Sequence, residues 1–224
     1  MALLAATVLA GLVLASAPAA AVDIAVVNNN DAGAGSLRQA MLTAGPGDRI
    51  VLADNLGTIL LGSPLPMITS NLTIEGGVGN TIDGQSQHRI FFADSGTVVI
   101  NDLTLANGLA TGGNGGGVQS EGGGGGGLTI IDSDLTGGSV AGGSGAVQGD
   151  AAGASLYLHD NTIAAFQVSG TANVGNDIAG TGGLTKSGAG VLVLSGVNTY
   201  TGGTTVNDGR RELSSAGTLG AAIA

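Results

Sequence analysis

Three aspartates recur at matched positions in this chain, and carboxylates held in register can bind a cation or move a proton. The segments Val98–Leu105, Leu128–Leu135 and Leu156–Ile163 align without gaps, with aliphatics at 98/128/156, 100/130/158 and 105/135/163 and aspartate at 102/132/160. The aspartates stand 30 and then 28 residues apart. If each segment is one layer of a stack, the carboxylates come within roughly 5 Å of one another. Like charges that close raise their own pKa or attract a cation, and calcium takes oxygen ligands of this kind. Asp102, Asp132 and Asp160 are therefore the candidate calcium ligands. The plainer role is a corner, shaped by a bond from the aspartate side chain to nearby backbone. That role is the expectation here, with no catalytic residue and no cofactor-binding residue assigned.

Other constellations offer less. Paired carboxylates also serve glycoside hydrolysis, but sixteen acids make chance pairing easy, and the aromatic platforms Tyr157 and Tyr200 lie far apart. Arg89 and Lys186 are the cations placed to act with such acids, and neither falls in the register of the three aligned segments. His88 and His159 are widely separated and read as surface residues, with His159 pointing outward; neither a metalloprotease helix motif nor a nucleophile elbow is present. The run Gly122–Gly127 satisfies a dinucleotide fingerprint only trivially, without strand–helix–strand context. Two runs, from Gly76 and from Gly142, begin like calcium-binding nonapeptides but carry Thr81 and Val147 where the aspartate belongs.

These residues need a scaffold, and composition bounds it. Glycine supplies 44 of 224 residues, while aromatics make up 2%. A single bulky core draws on aromatic volume, so thin layers of aliphatic packing suit this chain better. Mean hydropathy is positive at +0.40, which sets the chain apart from disordered sequences. With no cysteine, disulfide scaffolds and thiolate zinc sites are excluded. A formal charge of −10 with six cations argues against nucleic acid and against docking to an anionic membrane.

Along the chain, short β-rich runs such as Ile50–Leu52, Thr58–Leu61, Leu72–Ile74 and Ile90–Phe92 alternate with glycine, asparagine and aspartate turns. One helix is predicted. Ser36-Leu37-Arg38-Gln39 fits a capping box, Leu37, Ala40 and Met41 give one apolar face, and Gly45-Pro46-Gly47-Asp48 ends it. A lone amphipathic helix ahead of a strand array is an end cap. The expected fold is all-β: a right-handed parallel β-helix with a short N-terminal capping helix. The internal repeat sets its coils, and glycine-rich insertions such as Gly112–Gly117 and Gly122–Gly127 bulge out on one side as loops. Met1–Ala21 reads as a signal peptide cleaved near Ala21, after Ala19-Ala20-Ala21. The expected division is signal peptide 1–21, N-terminal cap 22–49, coils 50–180, a distinct repeat 181–214 and a truncated tail 215–224.

Two stretches resemble known families. Asn28-Asn29-Asn30-Asp31, Gly35-Ser36-Leu37-Arg38-Gln39-Ala40 and Gly47-Asp48-Arg49-Ile50 resemble the opening of pectin-lyase-like surface proteins, polymorphic outer-membrane proteins included. Thr81-Ile82-Asp83-Gly84 through Asn107-Gly108 looks like their coil pattern. The stretch Gly183–Gly209, with Tyr200-Thr201-Gly202-Gly203-Thr204 at its core, is similar to the autotransporter-associated β-strand repeat, and departs from it at Arg210-Arg211. The resemblance implies a secreted or surface-exposed bacterial autotransporter passenger, an adhesin or display protein rather than an enzyme. It implies an unidentified ligand on a host or neighbouring cell, met by loops near Ala106–Gly127 and Gly137–Gly153. Because lyases on this fold use acidic calcium sites, the alternative is a polysaccharide-active lyase or hydrolase. Passengers of this type end in an outer-membrane β-barrel, and nothing after Ala216 provides one. The expectation is a fragment, a truncated gene product or a passenger without its translocator. Membrane association would then come only through that missing barrel, and the uncapped coil after Thr204 would favour self-association.

Overall fold

The computed structural model describes residues 20–111, 118–123, 127–142, 152–159, 162–214 and 218–219. The expected signal sequence therefore lies almost wholly outside the described residues. Four sheets, all parallel within themselves, stack eight successive coils. The first coil holds β1 (Asp23–Val26) and α1 (Leu37–Thr43). The second holds β2 (Arg49–Leu52) and β3 (Thr58–Leu60), and the third β4 (Leu72–Glu75), β5 (Thr81–Asp83) and β6 (Phe91–Ser95). The fourth and fifth carry four strands each: β7 (Val98–Asn101), β8 (Thr104–Ala106), β9 (Leu109–Thr111) and β10 (Val118–Gly123), then β11 (Leu128–Ile131), β12 (Asp134–Thr136), β13 (Ser139–Ala141) and β14 (Leu156–Leu158). The sixth has β15 (Ile163–Gln167), β16 (Thr171–Val174) and β17 (Ile178–Gly180). The last two hold β18 (Gly183–Ser187) with β19 (Val191–Leu194), and β20 (Thr204–Val206) with β21 (Arg210–Leu213). This is a parallel β-helix with three faces: β1, β2, β4, β7, β11, β15, β18 and β20 form the first, β3 through β21 the second, and β6, β10, β14 and β17 the third.

The pleat explains the packing. Residues two apart on a strand face the same side, so stacking strands in register builds inward columns. On the first face one column runs Ile24, Ile50, Ile74, Ile100, Ile130, Phe166, Lys186, Val206. The second face answers with Ile59, Ile82, Leu105, Leu135, Val174, Leu194, Leu213. The third contributes Phe91, Val118, Leu156 and Ile178. Each coil thus buries a thin aliphatic layer, as the composition requires.

The helix forms where predicted. The Ser36 hydroxyl accepts from the Gln39 N–H at 3.2 Å, and Leu37 and Ala40 are buried against the first coils. The reciprocal half of the capping box is absent, because the Ser36 N–H donates to the Gly33 carbonyl instead.

Two of the three aligned segments stack as expected: Val98 pairs Leu128, Ile100 pairs Ile130 and Leu105 pairs Leu135. The third does not. Ala164 and Phe166 lie beneath Leu128 and Ile130, and Val174 beneath Leu135. Leu156–Leu158 belongs to the third face, below Val118, and Ile163, expected inward, is exposed. Alternating aliphatics before a corner mark every face of a β-helix, so the pattern alone does not say which face a segment joins. The glycine run also divides: Gly122 and Gly123 continue β10 rather than opening a loop.

Coil length varies. The step from Val98 to Leu128 is 30 residues and from Leu128 to Ala164 it is 36, whereas Ala164 to Leu184 and Leu184 to Thr204 take 20 each. The two long coils carry the insertions. These begin on one side as a paired ladder, with Leu109–Thr111 against Ser139–Ala141. Residues 112–117, 124–126 and 143–151 lie outside the described residues.

Candidate functional site

Asp102 and Asp132 turn the corners between β7 and β8 and between β11 and β12. Their φ angles, +48° and +42°, lie in the left-handed region that aspartate and asparagine tolerate better than other side chains. Together with Asp134 and the Gly77–Thr81 turn they line a groove of about 390 Å³. Asp132 is engaged by the next coil: its carboxylate accepts from the Ser169 N–H at 2.6 Å and the Ser169 hydroxyl at 2.7 Å. Asp134 likewise accepts from the Asn173 N–H at 2.6 Å and its side-chain amide at 3.1 Å. The expected local bond from the Asp132 side chain to its own corner is not what the carboxylate makes; Asp132 and Asp134 instead bond across to the next coil and staple the two coils together. Ser169, Asn173 and Asp134 were not singled out by the sequence, because their partners lie more than a coil away.

Asp160 lies outside the described residues. The strand before it, β14, is on a different face from β7 and β11, so the register expected for 102/132/160 does not hold. Val168 follows Gln167, the residue paired with Ile131, and so takes the position after Asp132. A three-carboxylate column therefore does not form by that register. Among the described residues no three His, Asp or Glu side chains converge to hold a metal.

Burial, and then the charges of Asp132 and Glu75, hold the Asp102 carboxyl above its ordinary range. The folded state thus binds this proton more tightly than the unfolded state. The contribution of Asp102 to stability is fully present below the ordinary carboxylate pKa and is lost as pH rises through the raised value. Asp102→Asn keeps the left-handed corner and removes the repulsion. Calorimetry should find a higher melting midpoint than wild type at about pH 7 and no difference at about pH 3; equal midpoints at both would show that the repulsion is screened.

The cations are committed elsewhere. Lys186 is fully buried in the first-face column, beneath Phe166, and so shares the register of Ile100 and Ile130 in the aligned segments, contrary to the sequence reading. Its ammonium donates to the carbonyls of Ser187, Gly188 and Asp208 at 2.8, 2.6 and 3.1 Å. The Arg89 guanidinium sits 5.2 Å from the centroid of the Phe92 ring, beside an apolar pocket of about 280 Å³ walled by Pro64, Leu65, Met67, Leu109 and Ala110. Three coils build this pocket at the base of the first insertion. No local motif announced it, because its wall residues are spread over more than forty positions. His159 packs near Tyr157, ring centroids 6.3 Å apart, with its Nδ1 buried. Tyr200 is fully buried, with its hydroxyl 2.5 Å from the Thr204 hydroxyl.

Residues 184–210, from β18 through β19 and β20 to the start of β21, match the passenger-associated-transport-repeat family. The chain therefore carries a repeat of the autotransporter-passenger type, built into a parallel β-helix. Over 70 residues, 31% of its length, it is 41% identical to the adhesin BmaC autotransporter of Brucella suis biovar 1 (strain 1330). That match spans 2% of the adhesin's length. No solved structure matches the chain.

Proposed function

We propose that this chain is a surface-exposed or secreted passenger segment that works by presentation, a stiff β-helical rod carrying adhesive loops on one side. The observation that carries the reading is the passenger-type repeat at 184–210, continuous with the sheets that begin at Asp23. The similarity to an autotransporter adhesin supports adhesion in particular. The contact surface is the side where β9 and β13 pair, next to the pocket lined by Arg89 and Phe92, and the glycine-rich stretches 112–117 and 143–151 follow those two strands closely in the sequence. We also propose that the chain is not an enzyme. The ammonium of Lys186, committed to three backbone carbonyls, supports this, because a lyase needs a cation free to act beside its acids.

The test is retention of beads coated with the chain on a panel of host cells, matrix proteins and immobilised glycans. Retention above albumin-coated beads, lost when 112–117 and 143–151 are replaced by short serine linkers, is the expected result. No retention on any surface, together with release of reducing or unsaturated sugars from a polysaccharide panel, would replace adhesion with the enzyme reading.

A further inference from the structure

The chain contains two Asp-Gly pairs, Asp83-Gly84 and Asp208-Gly209, and the fold treats them differently. At such a pair the glycine nitrogen can attack the carboxyl carbon of the aspartate before it, because no glycine side chain crowds the approach. The attack needs the two atoms within about 3–3.5 Å. At the first pair the Gly84 N–H is committed to the ladder, donating to the Ala106 carbonyl at 2.9 Å. The Asp83 carboxylate is turned to other donors, the Gln85 N–H at 2.7 Å and the Asn107 side-chain amide at 3.1 Å.

The second pair lies in the turn between β20 and β21. Its flanks are held by the preceding coil: the Asn207 N–H donates to the Lys186 carbonyl at 2.8 Å and the Arg210 N–H to the Gly190 carbonyl at 3.1 Å. Between them the Gly209 N–H donates to the carboxylate of Asp208 itself, at 2.7 Å. The carboxyl carbon is one bond beyond that oxygen, so the fold sets the reacting atoms side by side. The carbonyl of the same peptide unit, that of Asp208, accepts from the Lys186 ammonium at 3.1 Å. When the Gly209 nitrogen gives up its proton, the negative charge is shared with this carbonyl oxygen, and a cation already in place stabilises it. The Asp208 side chain is exposed, so water reaches it.

We infer that Asp208-Gly209 is a self-modification site, where the aspartate cyclises onto the next amide with the Lys186 ammonium polarising that peptide. The new bond joins the Gly209 nitrogen to the Asp208 carboxyl carbon. One carboxyl oxygen leaves as water, carrying off the amide proton and the proton of the carboxyl group. Water then opens the five-membered imide. Opening at the side-chain carbonyl restores aspartate. Opening at the main-chain carbonyl leaves an isoaspartyl link of unchanged mass, with the backbone routed through the β-carbon. The extra backbone atom falls in the turn that Lys186 holds, so the product loosens the pairing of β19 with β21.

The test follows isoaspartate at both pairs by peptide mapping with separation of isomers, at neutral pH, in the native 224-residue chain and in guanidinium. In the native chain position 208 should convert at least about tenfold faster than position 83, and faster than position 208 converts in guanidinium, where the two pairs should converge. Asp208→Asn, which keeps the turn, should lose ammonia through the same imide. Lys186→Met should convert about tenfold more slowly at 208; if it opens these coils, its rate falls to that in guanidinium, again below wild type. The proposal is overturned if position 208 converts no faster than position 83 in the native chain, if guanidinium speeds conversion at 208, if Asp208→Asn keeps its amide, or if Lys186→Met converts as fast as wild type.

Discussion

Replacing Lys186 with methionine is expected to destabilise the protein by about 2–3 kcal/mol in urea unfolding, although methionine fills nearly the same space and is the more apolar residue. The stem of Lys186 continues the first-face column beneath Phe166, where an aliphatic chain is at home. Its ammonium gathers three carbonyls around the turns that follow β18 and β20. Gly209, at φ +69°, leaves room for it: a side chain there would put its Cβ 2.8 Å from Nζ. Of the three carbonyls, that of Ser187 also accepts from Val168 and stays satisfied. Those of Gly188 and Asp208 lose their charged donor; Asp208 is exposed and its carbonyl can turn to water, so the main loss is at half-buried Gly188, where a hydrogen bond from a charged group contributes about 1.5–3 kcal/mol. Relief from burying the ammonium offsets part of this loss. A methionine variant within about 0.5 kcal/mol of wild type would show that water replaces the ammonium at those carbonyls.

Tyr200→Ala is expected to cost more, about 3–5 kcal/mol, the range for emptying a buried aromatic site. Tyr200 is among the largest fully buried side chains, so its removal leaves a cavity in the aliphatic core. Its hydroxyl bridges to Thr204 at the start of β20, so the ring ties one coil to the next. In a solenoid each coil touches only its neighbours, and the damage should stay local. Hydrogen exchange should therefore accelerate across β18–β21 while β2, β4 and β7 keep wild-type protection. Uniform loss along the rod would instead mean that all coils unfold as one cooperative unit. Tyr200→Phe, which keeps the ring and removes only the hydrogen bond to Thr204, should cost about 1 kcal/mol.

Much of the architecture is legible in the chain itself. The matched aliphatics of 98–105 and 128–135 stack in the register they suggest, because inward columns demand the same residue class at the same point of every coil. Ser36 and the spacing of Leu37 and Ala40 announce the helix, since its cap and its buried face are local features. The Tyr200–Thr204 stretch carries the passenger-type repeat openly, because one coil of 20 residues fits within one contiguous segment.

The candidate site was harder to read, because its parts are brought together across coils. The carboxylate of Asp132 finds Ser169, 37 residues on, and nothing near either residue signals the pairing. Segment 156–163 matched the earlier segments at three aliphatic positions and at the aspartate, yet a 36-residue coil moved its strand to another face. Periodicity of two records that a strand has one buried side, not which of three sheets it joins.

By itself, then, the sequence determined that short strands would stack in parallel around thin aliphatic layers, with a helix at one end and a passenger-type repeat near the other. Only the tertiary structure decided the environment of each charge. Lys186 turns inward to three carbonyls, Asp132 bonds across to the next coil, and Arg211 buries two of its nitrogens while Arg210 pairs with Glu212. The physical reason is that hydrophobic burial reads residue class and period, both written locally. What a charge meets depends on register between coils tens of residues apart, and insertion length sets that register.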